Sequence, residues 1–291
     1  MNSTPEPVVS VCIPAYAAQD FIAATIASVR AQTFTDFEVI VMDDCSPDQT
    51  AELARAAAGE DPRFTVTVNE RNLGPVENWN AVVARARGRY VKLLCSDDMI
   101  TPDCLEREVA ALDAHPRAAI ACARRNVLDP DGRVLFANRG LQGLQIGLMN
   151  GHAAIRAMVK AATTPFGEPS VVLLRRLAVL EVGPFTDRYG TLIDCEYYAR
   201  LLRSWDVVSI DATLGAFVAR PASWSGRSHR QQAGQCRALF RELAAEPGLA
   251  ISPWLLRFSM ARTTVNSAAR QVAFFLASRG ILTRVSGLKS R

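Results

Sequence analysis

Between Val8 and Cys95, short apolar runs alternate with helix-patterned stretches, and two of the runs end in a pair of aspartates. Val8 to Ile13 reads as a buried strand that breaks at Pro14; Phe37 to Met42 runs into Asp43-Asp44, and Tyr90 to Cys95 runs into Asp97-Asp98. Between the first two strands Phe21, Ile22, Thr25, Ile26 and Val29 fall on one helical face, with Gln19 or Asp20 as its cap. A helix over about 48–58, a strand at Phe64 to Val68 and a helix from Val76 to Ala86 complete the cycle. Such alternation demands right-handed crossovers, so the fold class is α/β, with a mainly parallel mixed sheet covered by helices on both faces.

Further along, the pattern gives a helix after Pro102 and an apolar run at Ala118 to Ala123, then weakens through 139–151. Strand and helix signals return over 171–215, including a helix from Asp194 to Arg203 and a strand at Val207 to Leu214. A Ser, Arg and Gly-rich loop at 219–234 leads into a helical extension from about 235 to 280, interrupted near Pro247 to Pro253. The division expected is a catalytic domain over 1–218 and a basic loop with helices over 219–291.

Composition excludes several classes. With 49% hydrophobic and 21% charged residues, the chain is no disordered tail, collagen-like repeat or disulfide miniprotein. No apolar run reaches the roughly 18 residues of a bilayer span, and Met1 to Pro7 has no signal-peptide pattern, so a cytoplasmic location is expected. Seven cysteines, odd in number and without a Cys-x-x-Cys pair, point to reduced and mostly buried thiols. The net charge of +4 divides into −6 over residues 1–218 and +10 over 219–291. Two regions with different electrostatic work are implied.

Asp43, Asp44, Asp97 and Asp98 all follow the C-terminal ends of strands, the edge at which open α/β sheets bind ligands. Either pair alone is equally a turn or a helix cap. Two pairs on one edge repel, and a divalent cation offsets that repulsion. Hard oxygen donors with no His or Cys cluster favour Mg²⁺ or Mn²⁺, ions that complete their shell with water and substrate phosphates. A nucleoside diphosphate is the ligand this implies.

The segment Val9-Ser-Val-Cys-Ile-Pro-Ala-Tyr16, then Ser28-Val-Arg-Ala-Gln-Thr-Phe34, Asp36 to Asp44 with Ser46, Asn72-Leu-Gly74, Ala86-Arg-Gly-Arg-Tyr90 and Ser96-Asp-Asp98 resembles the nucleotide-sugar half of the family-2 glycosyltransferases. The resemblance is tight over 8–110 and looser through the acceptor half at about 111–218. It implies the Rossmann-like GT-A fold. By position, Asp44 matches the carboxylate that meets the nucleotide base, Asp97 the one near the ribose, and Asp98 the metal ligand; Pro14, Ala15 and Tyr16 border the base, and Asn72 lies on a connection near the nucleotide. The chain departs from the family at Ala15 (often Thr or Ser), Ala17 (commonly Asn) and Cys45 (commonly Gly).

The family's general base opens a downstream helix. Gly183-Pro-Phe-Thr-Asp187 followed by Ile193-Asp-Cys-Glu196 resembles that motif in part, with Asp194 on the base position and Ile193 where the family has Glu. Asp194 also reads as an N-cap, and Glu196 is an alternative base. Lys92, a charge inside a strand, is a candidate for the diphosphate, or else pairs structurally or reaches solvent. Arg220, Arg227, His229 and Arg230 are further diphosphate candidates, or an ordinary basic loop.

The resemblance implies an inverting transfer of a sugar from a nucleoside-diphosphate donor, with UDP favoured, to a saccharide or lipid-linked acceptor in envelope or polysaccharide assembly. A non-catalytic nucleotide-sugar scaffold or sensor of the same fold is the alternative. Apolar and arginine residues alternate from Trp254 to Arg279, which suits peripheral contact with the inner face of the plasma membrane, a homodimer, or packing on the catalytic domain. Nucleic acid is not an expected partner, because no recognition motif accompanies the basic segment.

Overall fold

The computed structural model describes residues 6–219 and 229–278. The chain runs β1 (Val9–Ala15), α1 (Ile22–Arg30), β2 (Phe37–Asp43), α2 (Thr50–Ala58), β3 (Phe64–Val68), α3 (Pro75–Val83) and β4 (Tyr90–Leu93). It continues through β5 (Met99–Ile100), α4 (Cys104–Ala114), β6 (Ala118–Leu128), β7 (Val134–Arg139), β8 (Gly147–Met149), α5 (Gly151–Ala161), a 3-10 turn at Pro169–Val171 and β9 (Val172–Arg175). Then come α6 (Arg176–Val182), α7 (Ile193–Leu201), β10 (Asp206–Val218), α8 (His229–Ala245) and α9 (Pro253–Ser278).

Among the described residues ten strands form one mixed sheet in the order β3-β2-β1-β4-β9-β6-β10-β5, with β7 beside β6 and β8 beside β10. Strands β3, β2, β1 and β4 are parallel, as the strand-helix rhythm requires. The antiparallel β9 then separates β4 from β6.

Each face of the sheet buries its own core. Val9, Val11 and Ile13 of β1 pack with Ile22, Ile26 and Val29 of α1 and Leu105 and Leu112 of α4. Cys12 of the same strand joins Val82 of α3, Ile155 and Met158 of α5, Tyr198 of α7 and Phe240 of α8 on the other face. A strand covered on both sides reads as a continuous apolar run, which is why β1 and β2 stand out in the sequence. Gly88 permits the approach of the α3–β4 connection to β1, since a Cβ there would sit 2.6 Å from the Ser10 backbone nitrogen.

Several local expectations change. Helix α1 begins after Phe21, with no side-chain cap; the Ala18 carbonyl accepts the N–H groups of Phe21 and Ile22, each at 2.9 Å. Gln19 instead accepts the Gln49 N–H at 3.3 Å and so ties the first connection to the second. None of the seven cysteines is in a disulfide, and five of them are buried. The apolar residues of α9 divide: Leu255, Leu256 and Met260 pack against the main core, whereas Trp254, Phe258 and Val265 face outward. Among the described residues no helix is long and apolar enough to cross a membrane.

Candidate active site

The C-terminal ends of β1 and β2 place Ala15 opposite Asp43, with Tyr16 exposed just beyond. The two following turns each need a left-handed residue, Ala17 at φ 48° and Cys45 at φ 55°. These are the positions where the family commonly has Asn and Gly, the residues that tolerate this conformation. Asp43 and Ser46 lock the second turn: the Ser46 hydroxyl donates to the Asp43 carboxylate, and the Ser46 N–H does so at 3.1 Å. The same hydroxyl accepts the Ala17 N–H at 3.0 Å, so the two turns move as one.

Asp44 is buried, and its carboxylate accepts the side-chain amide of Asn69 and the N–H of Leu73, both at 2.8 Å, and the N–H of Gly74 at 2.9 Å. Asn72 donates to the Asp44 carbonyl at 3.1 Å and accepts the Gly74 N–H at 3.1 Å. Both residues expected at the nucleotide therefore also build the loop that enters α3. Asn80 holds the far side of α3 by a reciprocal pair, accepting the Phe185 N–H at 2.8 Å and donating to the Phe185 carbonyl at 3.0 Å. Trp79 packs edge-on against the Phe185 ring at 5.6 Å, which makes it a packing residue.

Asp97 and Asp98 lie in the turn between β4 and β5. Ligand atoms of Cys95, Asp97 and Asp98 all fall within 4.8 Å of one another. Burial and the neighbouring Asp97 charge push the Asp98 carboxyl well above the ordinary carboxylate range, against the pull of hydrogen bonds from the Ser170 hydroxyl and the Val218 N–H. Two close carboxylates with one withdrawn from solvent fit a divalent cation. Ser170 is brought there by the 3-10 turn after Gly167, whose φ of 94° a side chain would strain. Glu168 in this turn forms a forked ion pair with Arg125 of β6, with Nη2 to Oε1 at 2.6 Å. Ser170, Glu168 and Arg125 were not singled out from the sequence; only the Gly167 to Pro169 turn signal marks the segment.

Asp194 occupies the second position of α7, whose N-cap is Leu192, and its Oδ1 accepts the Cys195 N–H at 2.8 Å. It is thus not the cap that its sequence context allows. Withdrawal from solvent, opposed by that hydrogen bond, raises its pKa to about 6. The Cys95 thiol is driven up by burial and then by Asp98, Asp97, Asp194 and Glu168, so Asp194 at the start of α7 lies within electrostatic reach of the end of β4. Glu196 is committed elsewhere, accepting Arg200 Nε at 2.7 Å in a pair one helical turn apart.

Lys92 does not serve the diphosphate. Strand β4 turns it onto the α4 face, fully buried, where Nζ donates to both oxygens of Glu108 at 2.6 and 2.7 Å. A charge in a doubly covered strand needs a buried partner, and α4 supplies one. Arg220 and Arg227 lie outside the described residues, as do the side chains of His229 and Arg230 at the start of α8.

Residues 10–181 match Glycosyl transferase family 2. The succinoglycan biosynthesis protein ExoO of Rhizobium meliloti is 41% identical over 129 residues, a match that covers 44% of this chain and 36% of that protein. The chain thus spans about a third of the length of that relative. Residues 1–349 of S. aureus TarS in complex with UDP-GlcNAc superpose with a TM-score of 0.66 at 18% identity, covering 88% of this chain and 71% of that one. The mannosyltransferase PcManGT from Pyrobaculum calidifontis, in complex with GDP-Man and Mn²⁺, gives 0.65 at 17% identity, covering 98% and 81%. Sheet order, strand-end carboxylates and a match over more than half of the sequence agree: this chain belongs to Glycosyl transferase family 2 and has the GT-A fold.

Proposed function

We propose that the chain transfers a sugar, with inversion, from a nucleoside-diphosphate donor to a saccharide or lipid-linked acceptor in polysaccharide assembly. The observation that carries this reading is the partly desolvated Asp194 carboxylate, at about pKa 6, whose charge reaches the same Cys95 thiol that the Asp97 and Asp98 charges reach. A base works best when its pKa lies near the working pH, and a raised carboxylate meets that condition.

Asp98 would hold Mn²⁺ or Mg²⁺ there, beside Asp97, and the ion, when bound, supplies Lewis-acid neutralisation of the leaving diphosphate. Asp44 and Asp97 orient the base and ribose, with Pro14, Ala15 and Tyr16 bordering the base. Asp194 accepts the acceptor hydroxyl's proton as that oxygen bonds to the anomeric carbon. The bond from that carbon to the phosphate oxygen breaks, its electrons leave with the nucleoside diphosphate, and the configuration inverts in one displacement. UDP is the favoured nucleotide, supported by the UDP-GlcNAc complex of TarS; the GDP-Man complex of PcManGT makes GDP the competitor. The succinoglycan role of ExoO supports a polysaccharide product.

A thermal-shift panel of UDP- and GDP-sugars, with and without Mn²⁺, tests the reading. A metal-dependent shift by one donor, followed by release of its nucleoside diphosphate with acceptor, is expected. Binding of a donor with no hydrolysis or transfer to any acceptor would instead indicate a non-catalytic sensor or scaffold.

A further inference from the structure

Helix α9 has two faces that do different work. Its inner face, with Ser259 and Thr263 buried, sits close to its neighbours; Asn266 donates to the carbonyls of Ala161 and Ala162 at 3.0 and 3.2 Å and so fastens the helix to the end of α5. The small residues allow the close approach. The outer face carries Trp254, Arg257, Phe258, Arg262 and Val265 in successive turns, all exposed. Trp254 is 72% exposed and Val265 65%, and the Trp254 ring stacks on Phe258 at 5.7 Å.

The charge on this face is of one sign: the helix holds no Asp or Glu between Pro253 and Ser278, and the charged side chains of its described outer face are Arg257 and Arg262. The exposed Lys160 adds another cation where Arg262 meets the end of α5, at its carbonyl. A second copy seated face to face would set arginine against arginine, since a twofold contact uses the same patch twice. A surface of lipid phosphates satisfies both parts of the face, with the indole and phenyl rings entering the interfacial layer and the guanidinium groups meeting the headgroups.

We propose that the outer face of α9 docks the protein on an anionic lipid bilayer. The inference goes beyond the donor chemistry and does not depend on it. Co-sedimentation of the full chain with phosphatidylglycerol-containing vesicles, against pure phosphatidylcholine, tests it. Binding is expected to the anionic vesicles and to weaken at high salt, with a drop of about ten-fold or more in Arg257→Gln/Arg262→Gln. Trp254→Ser alters a mostly exposed side chain and should keep the wild-type circular dichroism while also losing affinity. Equal binding to both vesicle types, or variants that bind as the wild type does, overturns the proposal. So does a wild-type dimer that Trp254→Ser dissociates while neither protein pellets with vesicles.

Discussion

The Asp44 carboxylate accepts the backbone N–H of Gly74, 30 positions further along the chain, at 2.9 Å. With the bonds from Leu73 and Asn69, it holds the entry to α3 as firmly as it is expected to hold a base. Asp44→Asn replaces an acceptor with a donor facing a partly buried N–H, so stability should fall by about 1–3 kcal/mol. Urea unfolding and nucleotide calorimetry should change together; a fully stable variant would remove the loop-holding role.

Asp194→Asn should lower turnover by about 10²–10⁴ while leaving donor affinity unchanged. In the wild-type enzyme the rate should climb as pH rises through about 6 and then level off, because the base must be ionised. Stability runs the other way. The folded pKa of about 6 exceeds the ordinary 3.8, so this group's contribution is fully present below the ordinary value and lost as pH rises through about 6. At pH 8 the Asn variant should therefore be more stable than the wild type by about 1–3 kcal/mol, a gap that closes near pH 4. Glu196→Gln, by contrast, breaks the pair with Arg200 and should cost stability with turnover within a few-fold of the wild type.

Lys92→Met leaves the Glu108 carboxylate buried without its cation and should cost about 3–5 kcal/mol. The double variant Lys92→Met/Glu108→Leu should recover most of that loss, as judged by thermal unfolding. Donor affinity of the double variant should match the wild type; a large loss would restore Lys92 to the diphosphate.

Cys45 adopts φ 55° in an exposed turn. Cys45→Gly removes the left-handed penalty of about 1–2 kcal/mol and adds glycine's entropic cost of about 0.5–1 kcal/mol. A net gain of about 0.5–1 kcal/mol in denaturant unfolding is the expected outcome.

Chelation should abolish transfer and the nucleotide-sugar thermal shift, and Mn²⁺ should restore both. Asp98→Asn should lose the Mn²⁺-dependent part of the shift even at saturating metal, while retaining its fold. An unchanged metal-dependent shift in that variant would move the cation elsewhere.

The nucleotide half was legible because β1 and β2 are buried on both faces and α1 repeats its apolar residues with helical period. Strand β5 is two residues long and β7 lies mostly exposed, so neither leaves a pattern to read. For Lys92 the sequence shows a charge in a strand, but the choice of face depends on Glu108, 16 positions away and on a different element. Ser170 reaches Asp98 across 72 positions, a contact that no local spacing announces. Asp194 stands out in the sequence only because its motif survives in part; its solvent exclusion comes from tertiary packing. The direction of β9 was equally hidden, since Val172 to Arg175 would look the same in a parallel strand.

That strand sets an order of events during synthesis. β4 is hydrogen-bonded to β1 on one side and to β9 on the other, and β9 also joins β6. A nascent chain that has delivered β1 to β4 still carries a bare strand edge, the kind that recruits foreign strands. Only when Arg175 has left the ribosome can that edge be sealed, so the nucleotide half waits for its last wall from a segment some eighty residues downstream of the strand it protects.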